Sequence, residues 1–181
     1  VILYKIIKAG NLEIDAHIAD LLSLAILTDT GNFKFNRNGD ALRIMADLVD
    51  GGVNIRNLIE LMNNKPRRAV QLEARTAAEA EFYYRGRLAL AVVRKKDYKY
   101  LDGRGEMVLS LLGQIQGVDY VVLLKEQKPE QIGISIRSRR KPIDHIAVAL
   151  GGGGHERAAG AVVRDTMENV RNQVLALFKG E

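Results

Sequence analysis

The sequence predicts an α/β or α+β fold, in which a mostly helical first part with one strand precedes a small α/β domain. Two observations predict this class. Apolar residues keep helical spacing through most of the first 82 residues, and runs typical of strands then alternate with helical segments. The 181 residues are 47% hydrophobic and 27% charged, which is typical of a folded globular protein.

The first part is predicted to contain four helices and one buried strand. Helical spacing of apolar residues places the helices over 1–9, 15–22, 42–49 and 55–62. The run 21–27 is continuously apolar, and we interpret it as a strand that leads directly to Asp29.

A domain boundary is predicted at 63–68, where turn formers, a proline and a cluster of charges coincide. We therefore predict a first domain over 1–64, a linker with a connecting helix over 65–82, and a second domain over 83–181. The connecting helix is expected to occupy about 69–82.

Strands and helices interleave in the second domain. Apolar or alternating runs predict strands over 88–93, 120–124, 132–136 and 161–163. Helical spacing predicts helices over 108–115, 144–150 and 167–178. The third strand alternates isoleucine with glycine and serine, so we expect it to be half-buried. Asp165 and Glu168 have the spacing of a capping box before the last helix.

Composition excludes several classes of protein. The chain has no cysteine, so disulfides, zinc–cysteine sites and thiol catalysis are excluded, and a reducing, cytoplasmic location is expected. No apolar run reaches the roughly 20 residues that a membrane helix needs. The formal charge of +5 suits polyanionic partners, or simply a mildly basic surface. The chain begins without Met, and we expect it to be part of a longer protein.

Four successive glycines, Gly151, Gly152, Gly153 and Gly154, precede His155. Glycine loses more backbone entropy on folding than other residues, so this run indicates positive φ or close approach of a ligand. Successive N–H groups, together with the start of a short helix predicted at 158–160, would form an anion-binding concavity. His155 could donate to the same anion. The alternative is a sharp packed turn without a ligand.

Three polar residues on the predicted third strand share one face. Strand alternation places Ser135, Arg137 and Arg139 together, opposite the isoleucines. The guanidinium of Arg137 suits a phosphate or a base, because its N–H groups form a planar fork. The alternative is a solvated basic edge strand.

Asp29 follows the apolar run of the first part. A carboxylate at the end of such a strand is where open α/β sheets bind ligands, and it would suit a hard divalent cation. An aspartate in this context is also a common turn or cap residue. His17, Asp15 and His145 are weaker candidates, since each lies near the predicted start of a helix.

Two stretches together resemble one known family. Residues 24–33, with the sequence Leu-Ala-Ile-Leu-Thr-Asp-Thr-Gly-Asn-Phe, resemble the fourth motif of DHH-family phosphoesterases. Residues 134–138, 146–147 and the Gly-Gly-Gly-Gly-His-x-x-Ala-Ala-Gly stretch at 151–160 resemble the DHH-associated C-terminal domain. The chain is most similar in appearance to the oligoribonuclease and nucleoside-bisphosphate phosphatase branch.

The resemblance implies the end of a DHH domain followed by a substrate-binding domain with a mixed sheet. It implies a two-manganese site to which Asp29 contributes a ligand. It also implies substrate contacts from the loop 151–154 and from Arg137, Ser138 and His155. The resemblance implies that the parent protein is an enzyme. The family's earlier aspartate motifs and its Asp-His-His triplet are absent from this sequence, so this chain alone is expected to be inactive.

The implied ligands are short oligonucleotides or nucleotides, and a second copy of the chain is a candidate partner in a homodimer. Two alternatives stay open. The same C-terminal domain occurs as a tRNA-contacting module without catalysis, which would have no use for the Asp29 motif. The superfamily also includes polyphosphate hydrolases, which would prefer polyphosphate to purine nucleotides.

Overall fold

A computed structural model of the chain describes residues 1–34, 38–101 and 105–181. These residues divide into two compact units, Val1–Asn64 and Lys65–Glu181. Each unit has its own apolar core, so each is described by itself.

All the regular secondary structure in the described part of the first unit is helical. Its helices are α1 (Ile2–Ala9), α2 (Ala16–Thr30), α3 (Asp40–Asp50) and α4 (Ile55–Asn63). The side chain of Asp15 caps α2 by accepting from the Ile18 N–H at 2.7 Å. Gly31 ends the helix in the left-handed conformation, at φ 56°. The core lies between the helices and includes Leu22, Leu27, Ile44, Met45 and Leu48.

The strand predicted over 21–27 is wrong, because these residues form the middle of α2. Leu22 and Ile26 are buried at a spacing of four, while Leu21 and Ala25 are exposed. A short apolar run cannot by itself distinguish a buried strand from a helix. The cap at Asp15 and the left-handed Gly31 mark the start and the end of a helix that contains this run.

The second unit is built on a mixed sheet. Among the described residues the sheet has six strands in the order β1-β2-β3-β4-β6-β5. Strands β2 and β3 are parallel and the other neighbours are antiparallel. The elements are α5 (Arg67–Ala78), β1 (Glu81–Tyr83), β2 (Leu88–Val93), α6 (Lys95–Tyr98), α7 (Glu106–Leu112), β3 (Tyr120–Lys128), β4 (Gln131–Ser138), α8 (Asp144–Ala149), β5 (Gly153–His155), β6 (Ala158–Val163) and α9 (Met167–Phe178).

Helices cover the two faces of this sheet to different extents. On one face, Ile134 and Ile136 of β4 pack with Ala147 of α8 and with Val170 and Val174 of α9. On the other face, α7 covers only β2 and β3; its packing partners there are Ala89, Ala91, Val121 and Leu123. Within the described residues of the second unit, no helix lies over the part of this face formed by β6 and β5.

Two further predictions about elements are corrected. The helix predicted over 69–82 ends at Ala78, and β1 begins at Glu81. The short helix predicted at 158–160 is the start of β6. Small side chains favoured the helix assignment, yet they serve close strand pairing: a Cβ on Gly160 would lie 2.6 Å from the Ile134 carbonyl oxygen.

Two local details of the second unit also differ from expectation. Strand β4 is buried on both sides over 132–136. The side chain of Gln127 lies next to Gly133, and that of Lys125 contacts Ser135. The cap of α9 is Thr166, whose hydroxyl accepts from the Asn169 N–H at 3.2 Å. Asp165 instead accepts from the Asn169 side-chain amide at 2.7 Å.

Candidate functional site

Strand register brings Arg137 and His155 to the same face of the sheet. Arg137 of β4 lies opposite Ala158 of β6, and Ala158 lies opposite His155 of β5. Directly opposed residues in antiparallel strands project to the same side. The two side chains therefore begin two strands apart, a separation of roughly 10 Å.

Small residues separate these two side chains. In the next row across the sheet, Ser135 lies opposite Gly160, and Gly160 lies opposite Gly153. We call the side of β6 and β5 that carries Ala158, Gly160, Val162, Gly153 and His155 the open face. Val162 is 55% exposed there, and Gly153 and His155 are exposed as well. The open face thus consists of exposed backbone and small side chains. The guanidinium of Arg137 lies at one edge of it, and the imidazole of His155 lies at the other.

The four glycines of the loop meet different structural needs. Gly151 and Gly154 have positive φ, at 74° and 147°. A Cβ on Gly152 would lie 2.1 Å from the Gly160 carbonyl oxygen, so this position needs glycine for packing. Gly153 has neither requirement: its φ is not positive, and a Cβ there would meet nothing within 4 Å. Positive φ is therefore confirmed for part of the run but not for Gly153.

Part of the predicted anion-binding concavity is used within the fold. The Gly151 N–H donates to the Val148 carbonyl at 2.9 Å, and the Gly152 N–H donates to the Ala147 carbonyl at 2.8 Å. These bonds attach the loop to the end of α8. The first two N–H groups are consequently engaged, and the short helix expected after the loop is a strand. What faces outward is the segment from Gly153 to His155.

The β5–β6 hairpin is held in place at its turn. The Ser138 N–H donates to the Arg157 carbonyl at 3.0 Å, and the Ile143 N–H donates to the Glu156 carbonyl at 2.9 Å. The Ser138 hydroxyl donates to the Lys141 carbonyl, which fixes the segment after β4. Ser138 thus supports the hairpin through its backbone, and its hydroxyl is already engaged.

Arg137 is partly exposed and makes two contacts. One terminal nitrogen, Nη1, donates to the Ile136 carbonyl at 3.0 Å. The other, Nη2, donates to Oε1 of Glu106, the first residue of α7. The side chain is 30% exposed, so the guanidinium reaches solvent at the edge of the open face.

Arg139 does not continue the row of Ser135 and Arg137, because β4 ends at Ser138. Its N–H donates to the Asp119 carbonyl at 2.9 Å. The Asp119 carboxylate accepts from Arg87 at 2.8 Å and from Arg140 at 3.1 Å. The hydrogen bond to Asp119 raises the pKa of Arg87. Arg87 and Arg140 are thus paired with Asp119 within the fold.

Sequence reasoning missed Lys125 and Glu106. Lys125 is a buried lysine on β3, and its Nζ donates to the Ser135 hydroxyl at 2.7 Å. A charge within a run of apolar strand residues was the available signal for Lys125. Glu106 had no signal, because its contact with Arg137 joins residues 31 positions apart.

Asp29 lies in the first unit, in the last turn of α2, with its side chain exposed. Among residues 1–34, 38–101 and 105–181, no group of three or more His, Cys, Asp or Glu side chains could hold a metal ion. The described residues therefore do not by themselves fit a two-manganese site. His17 is exposed on α2, and His145 contacts Glu181 at 3.2 Å.

Replacing Asp29 with asparagine is expected to stabilise the chain. A carboxylate in the last turn opposes the helix dipole, so its neutralisation should raise the free energy of unfolding by about 0.3–1 kcal/mol. Asp15→Ala, at the other end of α2, should lower it by about 1 kcal/mol through loss of the cap. Urea denaturation of both variants measures this. If Asp29→Asn destabilised the chain, the carboxylate would be a structural residue.

The fold is a mixed α/β sheet with helices on both faces and a glycine-rich edge hairpin. The family model of the DHHA1 domain matches residues 89–180. The chain therefore belongs to the DHH-family phosphoesterases, of which it carries the DHHA1 domain.

Relatives support this assignment. The chain is 32% identical over 156 residues to the bifunctional oligoribonuclease and PAP phosphatase NrnA of Thermus thermophilus, covering 85% of this chain and 47% of that protein. It is 27% identical over 148 residues to the Mycoplasma genitalium protein of the same name, covering 80% of this chain and 46% of the relative. The chain spans about half the length of these relatives.

A solved structure shares the fold. An exopolyphosphatase-related protein from Bacteroides fragilis superposes with a TM-score of 0.80 at 26% identity, covering 92% of this chain and 52% of that protein. The predicted family and the mixed α/β fold are thus confirmed. None of the helices in the described parts of the chain has the length and apolarity to span a bilayer.

Proposed function

We propose that this chain is the substrate-binding portion of a manganese-dependent phosphoesterase that hydrolyses phosphoester bonds of short oligonucleotides or nucleotides. One observation carries the proposal: Arg137 and His155 lie in one row of the sheet, with only Ala158 between them. The open face is the phosphate-binding surface, and its ligand contacts come from Arg137, His155 and the backbone around Gly153.

The chemistry of this surface supports an anionic ligand. An arginine fork binds phosphate oxygens through parallel N–H bonds, and an imidazole two strands away can donate to the same ligand. The small residues between them allow a phosphate or a sugar to approach the backbone closely. Gly153 fits this role best, because nothing within the fold requires glycine at its position.

Asp29 is proposed as this chain's one contribution to the metal site. When bound, manganese would supply a polarised phosphate and an activated water. The further ligands that such a site needs are not among the described residues, so we propose that the chain alone does not hydrolyse phosphoesters. Its own part is to hold the phosphate through the open face.

Titration with AMP tests the binding site. Amide shifts in NMR spectra of the labelled chain should map to Arg137 and to Gly153–His155. Arg137→Ala should weaken AMP binding by about tenfold or more, since a hydrogen bond to a charged group contributes roughly 1.5–3 kcal/mol. Arg56→Ala removes an exposed arginine from the first unit and should leave the affinity unchanged.

Three ligands distinguish the alternatives. AMP should compete effectively against tripolyphosphate if the ligand is a nucleotide, whereas a polyphosphate hydrolase would show the reverse preference. Binding of a tRNA that survives Arg137→Ala would favour the tRNA-contacting module. Shifts that map away from the open face, or an Arg137→Ala variant with unchanged affinity, would show that the glycine loop is only a packed turn.

A further inference from the structure

We infer that Glu106 is a built-in competitor for the ligand of Arg137, occupying its guanidinium until a phosphate displaces the carboxylate. This inference rests on the proposed function, and it assigns a role to a residue that no sequence motif singles out. It makes Glu106 a residue that sets the affinity of the open face.

The contacts of the two side chains support a competing role. The Nη2 atom of Arg137 donates to Oε1 of Glu106, while Nη1 is held by the Ile136 carbonyl at 3.0 Å. The backbone contact fixes the guanidinium against β4 independently of Glu106. The carboxylate is therefore not needed to orient Arg137, and the Glu106 side chain is 59% exposed.

Topology places Glu106 where it can compete. Helix α7 covers β2 and β3, and Val108 and Leu109 pack there with Val121. Arg137 lies directly opposite Val121, so it stands at the border between the covered and the open parts of the face. Glu106, at the start of α7, occupies that border from the covered side.

The Glu106 carboxylate accepts from Nη2, a donor that a phosphate would also use, so a ligand that binds through Nη2 must displace Glu106. A protein whose binding-competent state is only partly populated shows a correspondingly weaker apparent affinity. The cost is modest here because the pair is partly exposed to solvent. A pair of this kind alters the dissociation constant by about two- to fivefold.

Glu106→Gln removes the competing charge and keeps the side-chain shape. The dissociation constant for AMP, measured by NMR titration, should fall about two- to fivefold at low salt, and less at high salt. The matched control is Glu168→Gln on α9, which removes an exposed carboxylate from the opposite face of the sheet and should change nothing. An unchanged or higher dissociation constant in Glu106→Gln would overturn the inference.

A double-mutant cycle separates this inference from the proposed function. In Arg137→Ala, the additional change Glu106→Gln should give no gain, because the competed guanidinium is gone. A gain that persists would reflect general charge and would also overturn the inference. If Arg137→Ala alone binds AMP normally, the proposed function fails; if it binds weakly while Glu106→Gln has no effect, only the competing role fails.

Discussion

Replacing Lys65 with methionine is expected to lower the free energy of unfolding by about 3–5 kcal/mol, because it leaves a buried carboxylate without its ammonium partner. The Glu73 side chain is fully buried in α5, at 0% exposure. Lys65 Nζ donates to both of its carboxylate oxygens, at 2.9 and 3.0 Å. Urea denaturation of the whole chain measures the loss.

The double variant Lys65→Met/Glu73→Leu identifies the cause of that loss. Replacement of both members of a buried pair by apolar residues is often neutral or stabilising, so most of the stability should return. Lys96→Met is the matched control: it removes an exposed lysine from α6 and should change stability by less than about 0.5 kcal/mol. If Lys65→Met were as stable as the parent, the buried pair would be contradicted. If Lys65→Met/Glu73→Leu stayed as unstable as Lys65→Met, the loss would come from a packing defect.

Alanine is expected to destabilise the chain at Gly152 but to have little effect on its stability at Gly153. Gly152→Ala should lower the free energy of unfolding by about 1–3 kcal/mol or more, since its Cβ would lie 2.1 Å from the Gly160 carbonyl oxygen and 2.6 Å from Ala161 Cα. Gly153→Ala should change stability by less than about 0.5 kcal/mol, because the new methyl group points into open space.

The same pair separates packing from binding. Gly153→Ala should weaken AMP binding about tenfold, equivalent to about 1.4 kcal/mol, because its methyl group stands where the ligand approaches the backbone. Thermal unfolding and NMR titration of both variants give the comparison. A Gly153→Ala variant with normal affinity would count against backbone contact at this position. A fully stable Gly152→Ala variant would contradict the close approach of the loop to β6.

The four-glycine run illustrates the limit of a motif. Four glycines in a row look equivalent in sequence, since each removes a side chain and frees the backbone. In the structure, two of them have positive φ, Gly152 avoids a clash, and Gly153 satisfies no requirement of the fold. The roles of the four glycines differ because of how the loop packs against β6, which the sequence alone does not reveal.

The placement of Asp29 shows a similar limit. Its apolar run was interpreted as a strand, and the structure shows the last turn of α2. The family motif was recognisable without the correct secondary structure, because it depends on residue identity and order. The role of Asp29 as a metal ligand stays a prediction, as do the domain boundaries at 64/65 and 82/83 and the substrate contacts of the loop.

The sequence by itself determined the family and the elements whose periodicity is strong, among them α3, β2, β4 and α9. It did so because motifs and periodicity are local properties of the chain. Tertiary structure alone decided that Arg137 and His155 share a row, and that Glu106 occupies the guanidinium. The residues in each of these two arrangements are 18 or more positions apart in the chain. Strand register and helix packing, which depend on the whole core, bring such residues together.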